Sequence, residues 1–130
     1  MRAYWDASAL VETTVDADLR RRLVAEGGLT RTHTLTEIFS TLTGKAHIRM
    51  DANAAAATVE ALTGHLEFVD LTARGLLEGL KKAQALGVRG SRVHDYVHAL
   101  AAKKARANLL LTLDRNDFES LAPGITVEQV

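Results

Sequence analysis

The chain has 130 residues, 47% hydrophobic and 25% charged, which suits one soluble domain able to bury a core without staples. Its 16 Lys and Arg residues balance 16 Asp and Glu, so the strongly basic charge of a dedicated nucleic-acid binder is absent. It has no cysteine, which excludes disulfides and thiolate ligation and leaves only oxygen or imidazole to hold a metal.

Short apolar runs mark five expected strands: Arg2 to Trp5, Leu29 to Thr32, Glu67 to Leu71, Asn108 to Leu113 and Thr126 to Val130. They are brief and mostly unalternating, as strands covered on both faces of a parallel sheet are. Helical patterns fall between them. Leu19, Leu23 and Val24 share a face after Asp16, and Gly27 and Gly28 close that segment. Leu35, Ile38, Phe39 and Leu42 form a second apolar stripe. Ala-rich Asp51 to Thr63 is a strong helix former ending at Gly64. Thr72 can cap a segment with Leu76, Leu77 and Leu80 that Gly87 closes, and Ser91 can cap another with Val93, Val97, Leu100 and Ala101 inward. Pro123 and Gly124 make the last turn. The alternation predicts a three-layer α/β/α sandwich on a mainly parallel sheet, one domain over residues 1–130. MRAYWDASAL has no signal-peptide pattern, and no segment nears the roughly 18 apolar residues of a bilayer span. A cytoplasmic protein with no membrane partner is expected.

The carboxylates carry the chemistry. In open α/β sheets, ligands bind beyond the carboxyl ends of the strands, and Asp6 and Asp114 each follow an expected strand there. Asp6 has a bland reading as a helix N-cap, although Ser8 can take that duty and leave Asp6 without it. Glu37 has two readings. Thr34-Leu35-Thr36-Glu37 is a capping-box pattern, yet Ser40, Thr41 and Gly44 leave room for Glu37 to face a groove. Asp95 sits in the first turn of its helix, where the macrodipole favours an acid, beside small or polar His98, Ala99 and Ala102. Asp117 is read first as a cap for a short helix and second as an added carboxylate. A right-handed parallel α/β sheet brings Asp6, Glu37, Asp95 and Asp114 to one edge. Carboxylates gathered there repel one another, and a divalent cation held by oxygen alone, Mg²⁺ or Mn²⁺, relieves that conflict.

Four segments then resemble the motifs of PIN-domain ribonucleases: Trp5-Asp6-Ala7-Ser8-Ala9-Leu10, Thr36-Glu37-Ile38, Val93 to Ala101 around Asp95, and Leu111-Thr112-Leu113-Asp114-Arg115-Asn116-Asp117-Phe118. In length and layout the chain is most similar to the VapC-type toxin component of VapBC toxin–antitoxin pairs, and the resemblance covers essentially all of it. It implies a five-stranded parallel sheet in the order 3-2-1-4-5 and a shared Mg²⁺ or Mn²⁺ site on Asp6, Glu37, Asp95 and Asp114. It also implies supporting roles for Ser8 and Thr112, and leaves Asp117 open. The implied partners are an RNA substrate, a cognate antitoxin and a second copy in a homodimer. His94 departs from the pattern, which is commonly apolar or Tyr there.

On this reading a metal-activated water hydrolyses an RNA phosphodiester bond. Arg89, Arg92 and Lys103 are candidates for holding the phosphate backbone. His94 and His98, spaced i and i+4, lack an H-E-x-x-H context for zinc, and Tyr4, Trp5 and Tyr96 are core side chains before they are base-stacking platforms. Two rivals stand beside the nuclease. One is a phosphoacceptor domain drawing on Asp70, which lacks the neighbouring acids that chemistry needs. The other is a non-catalytic module of the same fold that binds RNA or a partner.

Overall fold

In the computed structural model, which describes residues 3–130, the first strand β1 (Tyr4–Trp5) turns its two aromatic side chains to opposite faces of the sheet. That alternation sets the layers. After β1 come α1 (Ala7–Glu12), α2 (Ala17–Glu26), β2 (Gly28–Thr30), α3 (His33–Gly44), α4 (Ala52–Thr63) and β3 (Leu66–Phe68). The second half runs α5 (Ala73–Lys81), a 3-10 turn (Ala83–Leu86), α6 (Arg92–Lys104), β4 (Leu109–Thr112), α7 (Asn116–Glu119) and β5 (Thr126–Gln129). The expected start of the first strand, Arg2, lies outside the described residues. The strand expected to reach Leu71 stops at Phe68.

All four strand pairings are parallel, and the order is β3-β2-β1-β4-β5, as expected. Tyr4 pairs with Leu29 on one side and Leu110 on the other. The order reverses at β1 and β4, and the crevice beyond their carboxyl ends is where such sheets bind ligands. Trp5 and Leu111 pack with Leu10, Leu23, Ile38 and Leu42 under α1 to α4. Tyr4 and Leu110 pack on the other face with Ala101, Ala102 and Phe118 of α6 and α7. Leu110 and Leu111 are fully buried, and burial on this scale contributes roughly 1.5–3 kcal/mol per leucine. Among the described residues no helix is long and apolar enough to cross a membrane.

Helix starts follow side-chain oxygens. Asp16, Asp51 and Thr72 accept from the N–H groups of Leu19, Ala54 and Gly75, offsetting donors a first helical turn leaves open. Gly87, at φ 69°, closes the 3-10 turn in the left-handed region. Several expectations are corrected. Ser91 stands before α6 but makes no capping bond. Val24 is 55% exposed and does not join Leu19 and Leu23 in the core. Leu77 and Leu80 of α5 are likewise exposed, and it is Gly79 that packs inward against Leu100. Gly27 alone closes α2 and Gly28 begins β2, where a Cβ would meet Trp5 Cδ1 at 2.7 Å.

The start of α3 is tied from a distance. Thr32 has no side-chain capping bond of its own, and Asp70, after β3, accepts from the Thr32 N–H at 2.8 Å and its hydroxyl at 2.6 Å. Those bonds hold the Asp70 carboxyl below its ordinary range. Lys104 at the end of α6 donates to the Asp70 carbonyl at 2.6 Å. Asp70 therefore binds the fold together, which removes its support for a phosphoacceptor.

Candidate functional site

Asp6 follows the last residue of β1, and its backbone N–H continues the ladder to Leu111 O at 3.1 Å. Its side chain turns back over the start of α1. Oδ1 accepts from Ala9 N–H at 2.9 Å and from the Ser8 hydroxyl at 2.7 Å, while Oδ2 accepts from the Thr112 hydroxyl at 2.6 Å. Asp6 is thus the N-cap of α1, the first of the two readings its position allowed, and Ser8 does not take that duty. Ser8 instead supports Asp6, and its oxygen also accepts from Leu113 N–H at 3.0 Å. Thr112 Oγ1 accepts from Asp114 N–H at 3.1 Å. The two hydroxyls knot the tips of β1 and β4 around one carboxylate. Burial pushes the Asp6 carboxyl up, against the opposing pull of Thr112, Ala9 and Ser8.

Glu37 does not close a capping box. Thr34 lies inside α3, where its hydroxyl accepts from Thr30 Oγ1 at 2.8 Å, and Glu37 meets His98 of α6, with His98 Nε2 2.9 Å from Glu37 Oε1. Burial alone would raise the Glu37 carboxyl, but the His98 ring, with Arg31 and His33 nearby, outweighs it and holds the group below its ordinary value. Asp95 lies one turn before His98 on α6 and is half-buried. Its carboxyl is pushed up to about 6, first by burial and then by the charges of Asp117, Asp6 and Glu37.

Asp6, Glu37, Asp95 and His98 line one cavity of about 820 Å³, which also holds apolar Val11, Ile48 and Met50. Asp114 is not among the residues lining it. That residue is exposed just past β4, beside Asp117, and the pair of carboxylates raises the Asp117 carboxyl further than burial does alone. Asp117 lies within α7, with Arg115 at the cap position, so the capping role expected of it is not the one it has.

The cations predicted for the substrate are not in the lining of that cavity, although the charge of Arg92 acts on Asp117. Arg92 donates to Ser120 Oγ at 2.7 Å, Lys103 lines a separate cavity beside Tyr96, and Arg89 is exposed away from the acids' cavity. Lys45 and His47 stand in the lining of the acidic cavity, and the charge of Arg31, with those of His98 and His33, acts on Glu37. Arg31 follows β2 directly because the strand stops at Thr30, short of the expected Thr32; Lys45 and His47 lie where no periodicity points. His94 is exposed and His98 buried, so they make no ligand pair. Tyr4, Trp5 and Tyr96 are all buried, and Tyr96 donates to Gly79 O at 2.7 Å, which places all three in the core.

The donor chemistry suits a hard divalent cation. The cavity offers carboxylate oxygens, and the Asp95 carboxyl, raised first by burial, is raised further by the charges of three other acids. Among the described residues, no three acidic or imidazole groups stand together as a formed ligand set. The arrangement is a convergence of charge around a cavity. Compared with known proteins, the chain matches no family model and no curated protein.

Proposed function

We propose that the chain is a metal-dependent endoribonuclease of the PIN-domain type, using Mg²⁺ or Mn²⁺. The observation that carries this reading is the meeting of Asp6, Glu37 and Asp95, from three separate elements, in one cavity at the switch point of a 3-2-1-4-5 parallel sheet. Carboxylates drawn together and partly buried cost stability unless a charge of opposite sign is their purpose.

Asp6, Glu37 and Asp95 would hold the cation, with Asp114 as the fourth acid at the exposed rim. A cation held there would supply Lewis-acid chemistry for hydrolysing a phosphodiester bond. The chain's own residues prepare that site. Ser8 and Thr112 fix the Asp6 carboxylate, so it loses no freedom on binding. Arg31 and Lys45 supply positive charge for phosphates, which gives affinity without reading sequence. Val11, Ile48 and Met50 give the cavity an apolar wall beside the acids, where a lower local dielectric strengthens charge interactions.

Within this reading the chain is the toxin of a type II toxin–antitoxin pair, acting in the cytoplasm. Its partners are then an antitoxin covering the acidic cavity and a second copy of the chain, for which exposed Leu77 and Leu80 on α5 supply apolar surface. The test is cleavage of a mixed RNA pool by the purified protein, with Mg²⁺ and then with EDTA, alongside Asp6→Asn. Metal-dependent cutting lost in the variant supports the nuclease. A folded, inhibitor-free protein that cuts nothing in the pool turns the reading to a non-catalytic binding module.

A further inference from the structure

His98 is 2% exposed on a helix that otherwise buries alanines, valine and tyrosine, and a buried imidazole needs partners for both ring nitrogens. It has them. Nε2 lies 2.9 Å from Glu37 Oε1, and Nδ1 lies 2.7 Å from the Tyr4 hydroxyl. The Tyr4 and His98 rings meet edge to face, 5.7 Å between centroids. Burial raises the Tyr4 phenol, which therefore keeps its proton. An ionised Glu37 only accepts, so with the Tyr4 O–H donating to Nδ1 the ring proton belongs on Nε2, which stands in ion-pair reach of Glu37 Oε1 at 2.9 Å without the alignment of a hydrogen bond.

The three members lie on the three elements that bring the acids of the cavity together. Tyr4 is in β1, two residues before Asp6; Glu37 is itself on α3; His98 is on α6, one turn after Asp95. We propose that Tyr4, His98 and Glu37 form a clamp in which His98 is a positioning residue, fixing Glu37 through Oε1 and setting the spacing of the elements that carry Asp6, Glu37 and Asp95. This deepens the nuclease reading and rests on its metal site. A glutamate left free on α3 would give up side-chain freedom each time it bound a cation, and the clamp removes that cost beforehand.

The test uses the whole protein with Mn²⁺ as the probe, titrated calorimetrically, with folding checked by circular dichroism. His98→Ala is expected to weaken Mn²⁺ binding about 10- to 100-fold. His98→Gln, which keeps a donor near the Nε2 position, is expected to recover part of the loss, and Tyr4→Phe to lose less than His98→Ala. A folded His98→Ala that binds Mn²⁺ as the wild type does overturns the clamp. If His98→Ala does not fold, Gln and Phe variants that bind unchanged overturn it equally. A wild type that binds no Mn²⁺ sinks the metal reading, and the clamp is then decided by NMR. A His98 ring in the Nε2–H tautomer, with a Glu37 carboxyl ¹³C shift that moves in His98→Gln, supports it; an unmoved shift overturns it.

Discussion

The hydroxyl of Thr112 donates to Asp6 Oδ2 at 2.6 Å across the seam between β4 and β1, with both residues buried. The bond joins the two strand tips at which the sheet order reverses. Thr112→Val keeps the shape and removes the donor, leaving a buried carboxylate oxygen short of a partner. A loss of about 1–3 kcal/mol is expected, with Thr112→Ser recovering most of it. Urea unfolding of the three proteins measures this, and equal midpoints for Val and wild type would count against the bond.

Asp6 joins structure to chemistry in one side chain, and two substitutions separate the roles. Asn is as good a cap as Asp, and Thr112 can turn its hydroxyl to accept from the new amide. Asp6→Asn is therefore expected to fold with a near-native melting temperature and to cut RNA at under about one-hundredth of the wild-type rate. Asp6→Ala should also lose about 1 kcal/mol of stability with the cap. Paired melting and cleavage assays distinguish the two.

Asp95 gives a pH signature. Its carboxyl, pushed up to about 6 from an ordinary 3.8, binds a proton more tightly folded than unfolded. Its contribution to stability is therefore full below about pH 3.8 and is lost as pH rises through about 6. In EDTA, Asp95→Asn should gain on the wild type as pH rises from 4.5 to 7.5, as assay conditions spanning roughly that window. Adding Mg²⁺ at the upper end should restore the wild type and leave the variant unmoved. Parallel stability curves for the two proteins would refute the account.

Asp70 has the opposite sign. Its carboxyl is held low by the Thr32 N–H and hydroxyl, so its contribution is present above the ordinary value and lost as pH falls through the depressed one. Asp70→Ala unties the start of α3 and is expected to cost about 1 kcal/mol at neutral pH. Amide exchange in the first turn of α3 should quicken more than in α4. Uniform exchange rates would show that Asp70 caps nothing.

The layers were legible in the sequence for a local reason: short apolar runs between helical stripes have few alternatives to a covered parallel sheet. That Asp6 and Asp95 share an edge of the sheet was legible for the same reason, since strand tips and helix starts can be located from the chain alone. Glu37 was not settled, because a capping box and a groove-facing acid share one local pattern. What decides between them is His98, far along the chain on another helix. Lys45 and His47 reach the cavity from a turn after α3 with no period of its own, so no local signal marked them. Asp117 is not the cap its position suggested because α7 begins two residues earlier than that role requires.

Gly28 touches none of the acids, yet the site leans on it. With no side chain there, Trp5 can lie flat against β2, and Asp6 is the next residue along. Any larger residue at 28 must displace the indole, and the displacement reaches the first carboxylate through a single peptide unit. The hydrophobic layer and the acidic cavity are therefore not free to drift apart in sequence: a change that looks like routine repacking beneath β2 is inherited by the charge cluster above it. Variants that lose activity with every acid intact should be sought first at this position.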